Sequence, residues 1–245
     1  NDHIELSLKE IERTKGSSFS PLAHMYHDLF VEIKEFYINF LDRNVLNGYK
    51  HFEERGYIET ITCGFTHGFL PLMNNETAVR AQIEMAVKTH QNRLGRAPKG
   101  IWLPECAYYA GLEDILDEFG IRYFFVDTHG ILYSKPRPRY GVYAPVYTKS
   151  GVAAFGRDHF SSKQVWSSKE GYPGDYLYRD FYRDIGYDLD FDYIKPYINP
   201  DGVRVFTGLK YYGITGTGDY KEPYNYKAAH LKTEEHAKHF VNERI

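Results

Sequence analysis

An α/β fold built on parallel strands is what this sequence predicts. Short apolar, β-branched runs alternate with segments of helical period, and the connections between them are short. That order winds neighbouring strands parallel, with right-handed crossovers. At 245 residues the chain is long enough for one large α/β core, or for a core carrying a sizeable excursion.

The elements follow in order. His24 to Arg43 carries Met25, Leu29, Phe30, Ile33, Phe36, Tyr37, Phe40 and Leu41, a helical spacing with one broad apolar face. Tyr57 to Thr62 is a β-branched run and reads as a strand. Asn75 caps a helix over 76–94 that turns Val79, Ile83, Ala86, Val87 and Leu94 to the core; Gly95 stops it and Pro98 keeps it from resuming. Gly100 to Leu103 is the next strand. Leu112, Ile115, Leu116 and Phe119 stripe a helix ending at Gly120, and Arg122 to Val126 is a third strand.

His67, Glu105 and Asp127 each fall just after one of these three strands. In α/β barrels the loops at that end of the sheet build the cleft, so the rim is where chemistry is expected. Beyond it, Pro136 to Tyr197 has weak periodicity, three early prolines and aromatic-acidic alternation. It reads as an excursion covering the cleft, with an ordinary surface insertion as the alternative. Val203 to Leu209 reads as a returning strand, and Ala228 to Arg244 as the start of a polar helix. The expected division is therefore 1–135 (central α/β part), 136–197 (inserted subdomain) and 198–245 (return to the sheet and a helix).

Composition narrows the function. A net charge of −3 and a pI near 6.4 supply no basic field for nucleic acid. No apolar run approaches the ~20 residues that span a bilayer. Cys63 and Cys106 are the two cysteines. They make no disulfide framework, and each follows an apolar run and reads as a buried thiol, which favours a reducing cytoplasm. The 23 Tyr and 16 Phe suit stacking on sugar rings as well as ordinary packing.

Glu105 is the most informative single residue. The strand at 100–103 runs straight into Pro104-Glu105, placing a carboxylate at the strand end among aromatics. Carboxylates in such settings act as nucleophile and acid/base on glycosidic bonds; a cap for the following helix is the competing role. His67 could bond a sugar hydroxyl or serve as a structural hydrogen bonder. Asp127 could be a second carboxylate on the adjacent strand, about 5 Å away by sheet spacing; supporting polar structure is the other reading for it, and for His129. Arg183 could reach the cleft or pair with Asp184 or Asp188. Metal chemistry has no footing: His24/His27 and His236/His239 are spaced i,i+3, and neither a His-Glu-x-x-His motif nor zinc-spaced cysteines occur. Gly216-x-Gly218 lacks a strand-to-helix context and reads as a turn, and no Gly-x-Ser-x-Gly elbow is present.

Eight segments, in order, resemble glycoside hydrolase family 57: CGFTHGFLP at 63–71, GIWLPECAY at 100–108, VDTHG at 126–130, GRD at 156–158, QVWS at 164–167, GYPGD at 171–175, YRDIG at 182–186 and GLKYY at 208–212. The resemblance spans nearly the whole chain. It implies an incomplete seven-stranded (β/α) barrel of parallel strands with an inserted loop-rich subdomain. It implies Glu105 as the nucleophile of a retaining mechanism, with His67, Trp102, Arg183, Trp166 and Tyr172 contacting substrate. No cofactor and no metal are implied, and the partner is α-glucan, amylose or glycogen. The expected reaction is 1,4-α-glucan branching in glycogen biosynthesis in the cytoplasm. A 4-α-glucanotransferase or an α-amylase is the alternative, and a non-catalytic α-glucan-binding protein the second. Two family landmarks, a His-x-His first strand and the Asp segment that supplies the acid/base, are not in these residues. The sequence thus reads as an internal piece of a longer protein, inactive by itself.

Overall fold

The computed structural model describes residues 1–198, 201–216 and 218–244; residue 217, inside the expected Gly216–Gly218 turn, lies outside them. The chain divides into two compact units, Leu41–Ser162 and Asn1–Phe40 with Lys163–Ile245.

The discontinuous unit begins with α1 (Asp2–Thr14) and α2 (Ser20–Glu35), the latter running into a π-helical turn at Phe36–Phe40. The expected helix at 24–43 therefore starts earlier, where Pro21 suits the first turn, and changes period after Glu35. Its core contacts fall on Leu22, Ala23 and Tyr26, whereas Leu29, Ile33 and Phe36 stay exposed.

The sheet lies in the continuous unit. After α3 (Val45–Glu54) come β1 (Thr62–Cys63), α4 (Glu76–Leu94), β2 (Gly100–Trp102), α5 (Leu112–Glu118), β3 (Tyr123–Val126), α6 (Thr128–Leu132), β4 (Val146–Tyr147) and β5 (Ala153–Gly156). Sheet order is β1-β2-β3-β5-β4. β1, β2, β3 and β5 are parallel; β4 runs antiparallel on β5 at the edge. The α/β class holds. Among the described residues the sheet has five strands and is open, and the antiparallel edge strand corrects the all-parallel expectation. β4 and β5 also lie inside the stretch assigned to the excursion, so the sheet extends well past residue 136. Their two- and four-residue length explains why periodicity does not reveal them.

Packing follows the alternation of strand side chains. Ile101, Phe124, Val126 and Ala154 face Val79, Ile83, Leu112, Ile115 and Leu116 in one buried cluster. On the opposite face the rings of Trp102, Phe125 and Phe155 follow one another at 6.0 and 5.9 Å. Gly100 is required here: a Cβ on it would sit 2.3 Å from the Tyr123 ring.

The chain closes with α7 (His159–Trp166), α8 (Ile185–Asp188), α9 (Phe191–Ile194) and α10 (Tyr226–Asn242). Leu6, Leu22, Tyr26, Ile185, Ile194, Leu209 and Tyr211 form the buried cluster of the discontinuous unit. Val203–Leu209 is not a strand. Its amides at Thr207 and Gly208 donate instead to the buried Asp184 carboxylate, at 2.9 Å each, which satisfies the backbone without a neighbouring strand.

Candidate active site

Three parallel strands deliver three polar side chains to one rim. His67 follows β1 by four residues, Glu105 follows β2 by three, and Asp127 follows β3 directly. The chain turns sharply to do this. His67, Glu105 and Cys106 all take positive φ, 55°, 55° and 56°, a region that costs a non-glycine residue of order 1–3 kcal/mol and clusters at functional sites. Surrounding bonds hold the turns. The Cys106 amide donates to the Leu103 carbonyl at 2.8 Å and the His67 amide to the Gly64 carbonyl at 2.8 Å. Gln82 of α4 clamps Thr66 twice, accepting from its amide at 2.9 Å and donating to its hydroxyl at 2.8 Å.

The turns bring His67 Nε2 to 3.5 Å from Glu105 Oε1. The other ring nitrogen, Nδ1, lies 3.1 Å from the Cys63 sulfur. Both acidic and basic side chains are open to solvent, 75% exposed for Glu105 and 57% for His67, so the carboxylate is not enclosed by the aromatics expected around it. Cys63 is likewise half-buried and not the buried thiol expected, while Cys106 is buried. Burial pushes the Cys63 thiol up, and the Glu105 charge adds to this. Burial does the same for Cys106, with Asp127 contributing.

Asp127 is engaged by Arg157, whose Nη1 donates to Oδ1 at 3.2 Å. The guanidinium sits 5.7 Å from the Trp102 ring centre, cation over indole. Trp102 thus supports the Asp127–Arg157 pair from beneath.

A cleft of about 940 Å³ opens from Glu105 past Tyr108, Glu113, Asp127, Tyr147 and Lys149, at the upper end of the size range of small-molecule sites. Tyr108 is fixed in its wall, stacked on Phe124 at 5.2 Å and 15°, with its hydroxyl donating to Glu113 at 2.7 Å. Burial pushes the Glu113 carboxyl up, but the Tyr108 hydroxyl and the Gly111 amide outweigh it and hold the group below the usual carboxylate range. Sequence reasoning does not single out Glu113 and Tyr147 of the cleft lining, or the contact of Cys63 with His67. The available signal was spacing: Cys63 precedes His67 by four residues across a turn.

The remaining candidates belong to the discontinuous unit. Trp166, at the end of α7, is 80% exposed. Tyr172 stacks on His236 at 4.4 Å and bonds His239 Nδ1 through its hydroxyl at 2.7 Å, lining a hollow of about 390 Å³ with Asp175 and Tyr176. Arg183 takes the pairing alternative. Its Nε donates to both oxygens of Asp188 at 3.0 and 3.1 Å, and its guanidinium lies 4.1 Å from the Tyr212 ring centre. Among the described residues, no three His, Cys, Asp or Glu gather as a metal site, and no helix is long and apolar enough to cross a membrane.

The open, mostly parallel sheet thus carries an exposed carboxylate and an imidazole side by side at the ends of adjacent strands. Residues 2–238 match the model of glycosyl hydrolase family 57, and the chain belongs to that family. It is 32% identical to a 1,4-alpha-glucan branching enzyme of Thermococcus kodakarensis, over 98% of this chain and 37% of the relative. Among solved structures, alpha-amylase AmyC from Thermotoga maritima superposes with a TM-score of 0.91 at 46% identity, over 99% of this chain and 48% of that one. The GH57-type branching enzyme from Pyrococcus horikoshii gives 0.81 at 32%, over 98% and 44%. The chain spans from over a third to about half the length of these proteins.

Proposed function

We propose that this chain carries the nucleophile of a retaining enzyme that acts on α-1,4-glucan, with 1,4-α-glucan branching as its reaction. The observation that carries the reading is the 3.5 Å approach of His67 to Glu105 at the ends of adjacent parallel strands, on the rim of a large cleft. A Glu105 oxygen attacks the anomeric carbon as the glycosidic C–O bond breaks, and a second carboxylic acid protonates the departing oxygen. An acceptor 6-hydroxyl then attacks the glycosyl ester, gives its proton to that same group and releases Glu105. His67 orients the nucleophile, Tyr108 shapes a wall of the cleft, Trp102 acts from the other face of the sheet through Arg157, and Trp166 and Tyr172 are platforms for glucose rings. Branching assigns the protein to glycogen-type glucan synthesis, and its two free cysteines suit a reducing cytoplasm.

Hydrolysis is the second reading, favoured by 46% identity over 99% of the chain to a structure named an alpha-amylase. Linkage analysis of amylose treated with the full-length protein decides between them. New α-1,6 links without a matching rise in reducing ends are expected; reducing ends alone would establish an amylase, and binding without product a glucan-binding protein. Glu105→Gln is expected to abolish turnover and keep glucan binding, because the amide cannot form the ester. Activity within about tenfold of wild type would remove Glu105 from the nucleophile role.

A further inference from the structure

We infer that Cys63 is a positioning residue for the nucleophile: its thiol fixes His67 as the neutral tautomer that carries the proton on Nε2 and donates it to Glu105. The inference rests on Glu105 being the nucleophile, and its test is separable from that reading.

Cys63 ends β1 in register with Trp102, the last residue of β2. Four residues on, the positive φ of His67 turns the imidazole back over the strand end. The ring then lies between sulfur, 3.1 Å from Nδ1, and carboxylate, 3.5 Å from Nε2. A neutral imidazole has one N–H, and an ionised carboxylate only accepts. With the proton on Nε2, the carboxylate receives a donor and Nδ1 becomes an acceptor facing a group that can donate an S–H. Both contacts are satisfied. With the proton on Nδ1, the Nε2 lone pair faces the carboxylate, acceptor against acceptor. The thiol stays a donor because burial and the Glu105 charge both disfavour thiolate. At 3.5 Å the Nε2–Oε1 approach is longer than a formed hydrogen bond, and the inference has it shorten when substrate binds, as catalytic contacts of unliganded sites do.

The choice of tautomer has a chemical consequence. A neutral Nε2–H orients Oε1 without placing a full positive charge beside the group that must attack carbon. An imidazolium would stabilise the free carboxylate over its glycosyl ester and slow the first step.

Nitrogen-15 NMR of histidine-labelled protein reads the tautomer directly, with the His67 signals assigned by their loss in His67→Gln. At neutral pH the expected spectrum has a bare, acceptor-type Nδ1 and a protonated Nε2. Cys63→Ala leaves the Glu105 carboxylate alone to select the tautomer, and is expected to raise the fraction protonated on Nδ1 and to lower kcat/KM of the full-length protein about tenfold. Cys63→Ser, which restores a donor, is expected to recover the tautomer and most of the rate. A protonated Nδ1 or a doubly protonated ring in the wild type overturns the inference, as does an unchanged tautomer in Cys63→Ala. The nucleophile is read separately by the turnover of Glu105→Gln, so each assignment can fail alone.

Discussion

Asp184 shows how much one buried carboxylate can organise. Its side chain is fully buried, and it accepts from the amides of Gly186, Thr207 and Gly208 and from the Thr207 hydroxyl, at 2.8 to 2.9 Å; Lys210 Nζ stands 3.5 Å away. Asp184→Ala would leave these donors and a charge without their partner, a loss of about 3–5 kcal/mol. Asp184→Asn, which keeps one acceptor oxygen, is expected to cost less. Urea unfolding of both variants checks the order, and a near-neutral Asp184→Ala would show that water replaces the carboxylate. From the sequence, Asp184 and Asp188 are equal candidates to pair with Arg183, since both are within a few residues. Burial separates them, and burial is not a local property. Glu105 and His67 are legible for the opposite reason: a polar residue within a few positions of the end of an apolar strand is placed by the strand itself. The positive φ of both, and the sulfur beneath His67, depend on contacts with the next turn and with α4, which spacing alone does not encode.

At the scale of elements, caps and stripes carry most of the legible signal. Asn75 accepts from the Thr77 amide at 2.8 Å, and Gly95 closes α4 at φ 83° in the left-handed region, as the residue types require. Asn75→Ala is expected to cost about 1 kcal/mol, lowering Tm by about 2–4 °C for a protein of this size. Calorimetry reads that shift; no change would mean that the α4 start is held by packing alone. The α10 helix obeys the same rule at Asn225, whose side chain accepts from the Ala228 amide at 3.0 Å, so it starts at Tyr226, two residues before the polar helix expected from Ala228. Strands are read less well. The run at 57–62 contributes only its last residue to β1, and 203–209 looks like a strand by composition yet bonds a side chain. A strand is defined by its partner, and the partner lies elsewhere in the chain.

For the whole molecule, the division into two cores is the feature that local patterns miss. One cluster gathers Leu70 to Ala154 within the continuous unit; the other joins Leu6, Leu22 and Tyr26 to Ile185, Leu209 and Tyr211, across more than a hundred intervening residues. No window of 11–18 residues reports such a pairing, so local patterns group 1–40 with the sheet. Each core can be loosened separately. Ile83 and Leu6 are essentially inaccessible, at 0% and 1% exposure, and truncating either to alanine is expected to cost about 2–5 kcal/mol, transfer plus cavity. Because cooperative opening follows contiguous packed regions, the consequences should differ in place. Leu6→Ala should raise amide exchange in α1, α2 and the segment around Leu209–Tyr211, with β2, β3 and α4 keeping their protection. Ile83→Ala should do the reverse. Hydrogen-exchange mass spectrometry of both variants resolves these regions, and equal loss of protection throughout in either variant would show that the clusters open as one.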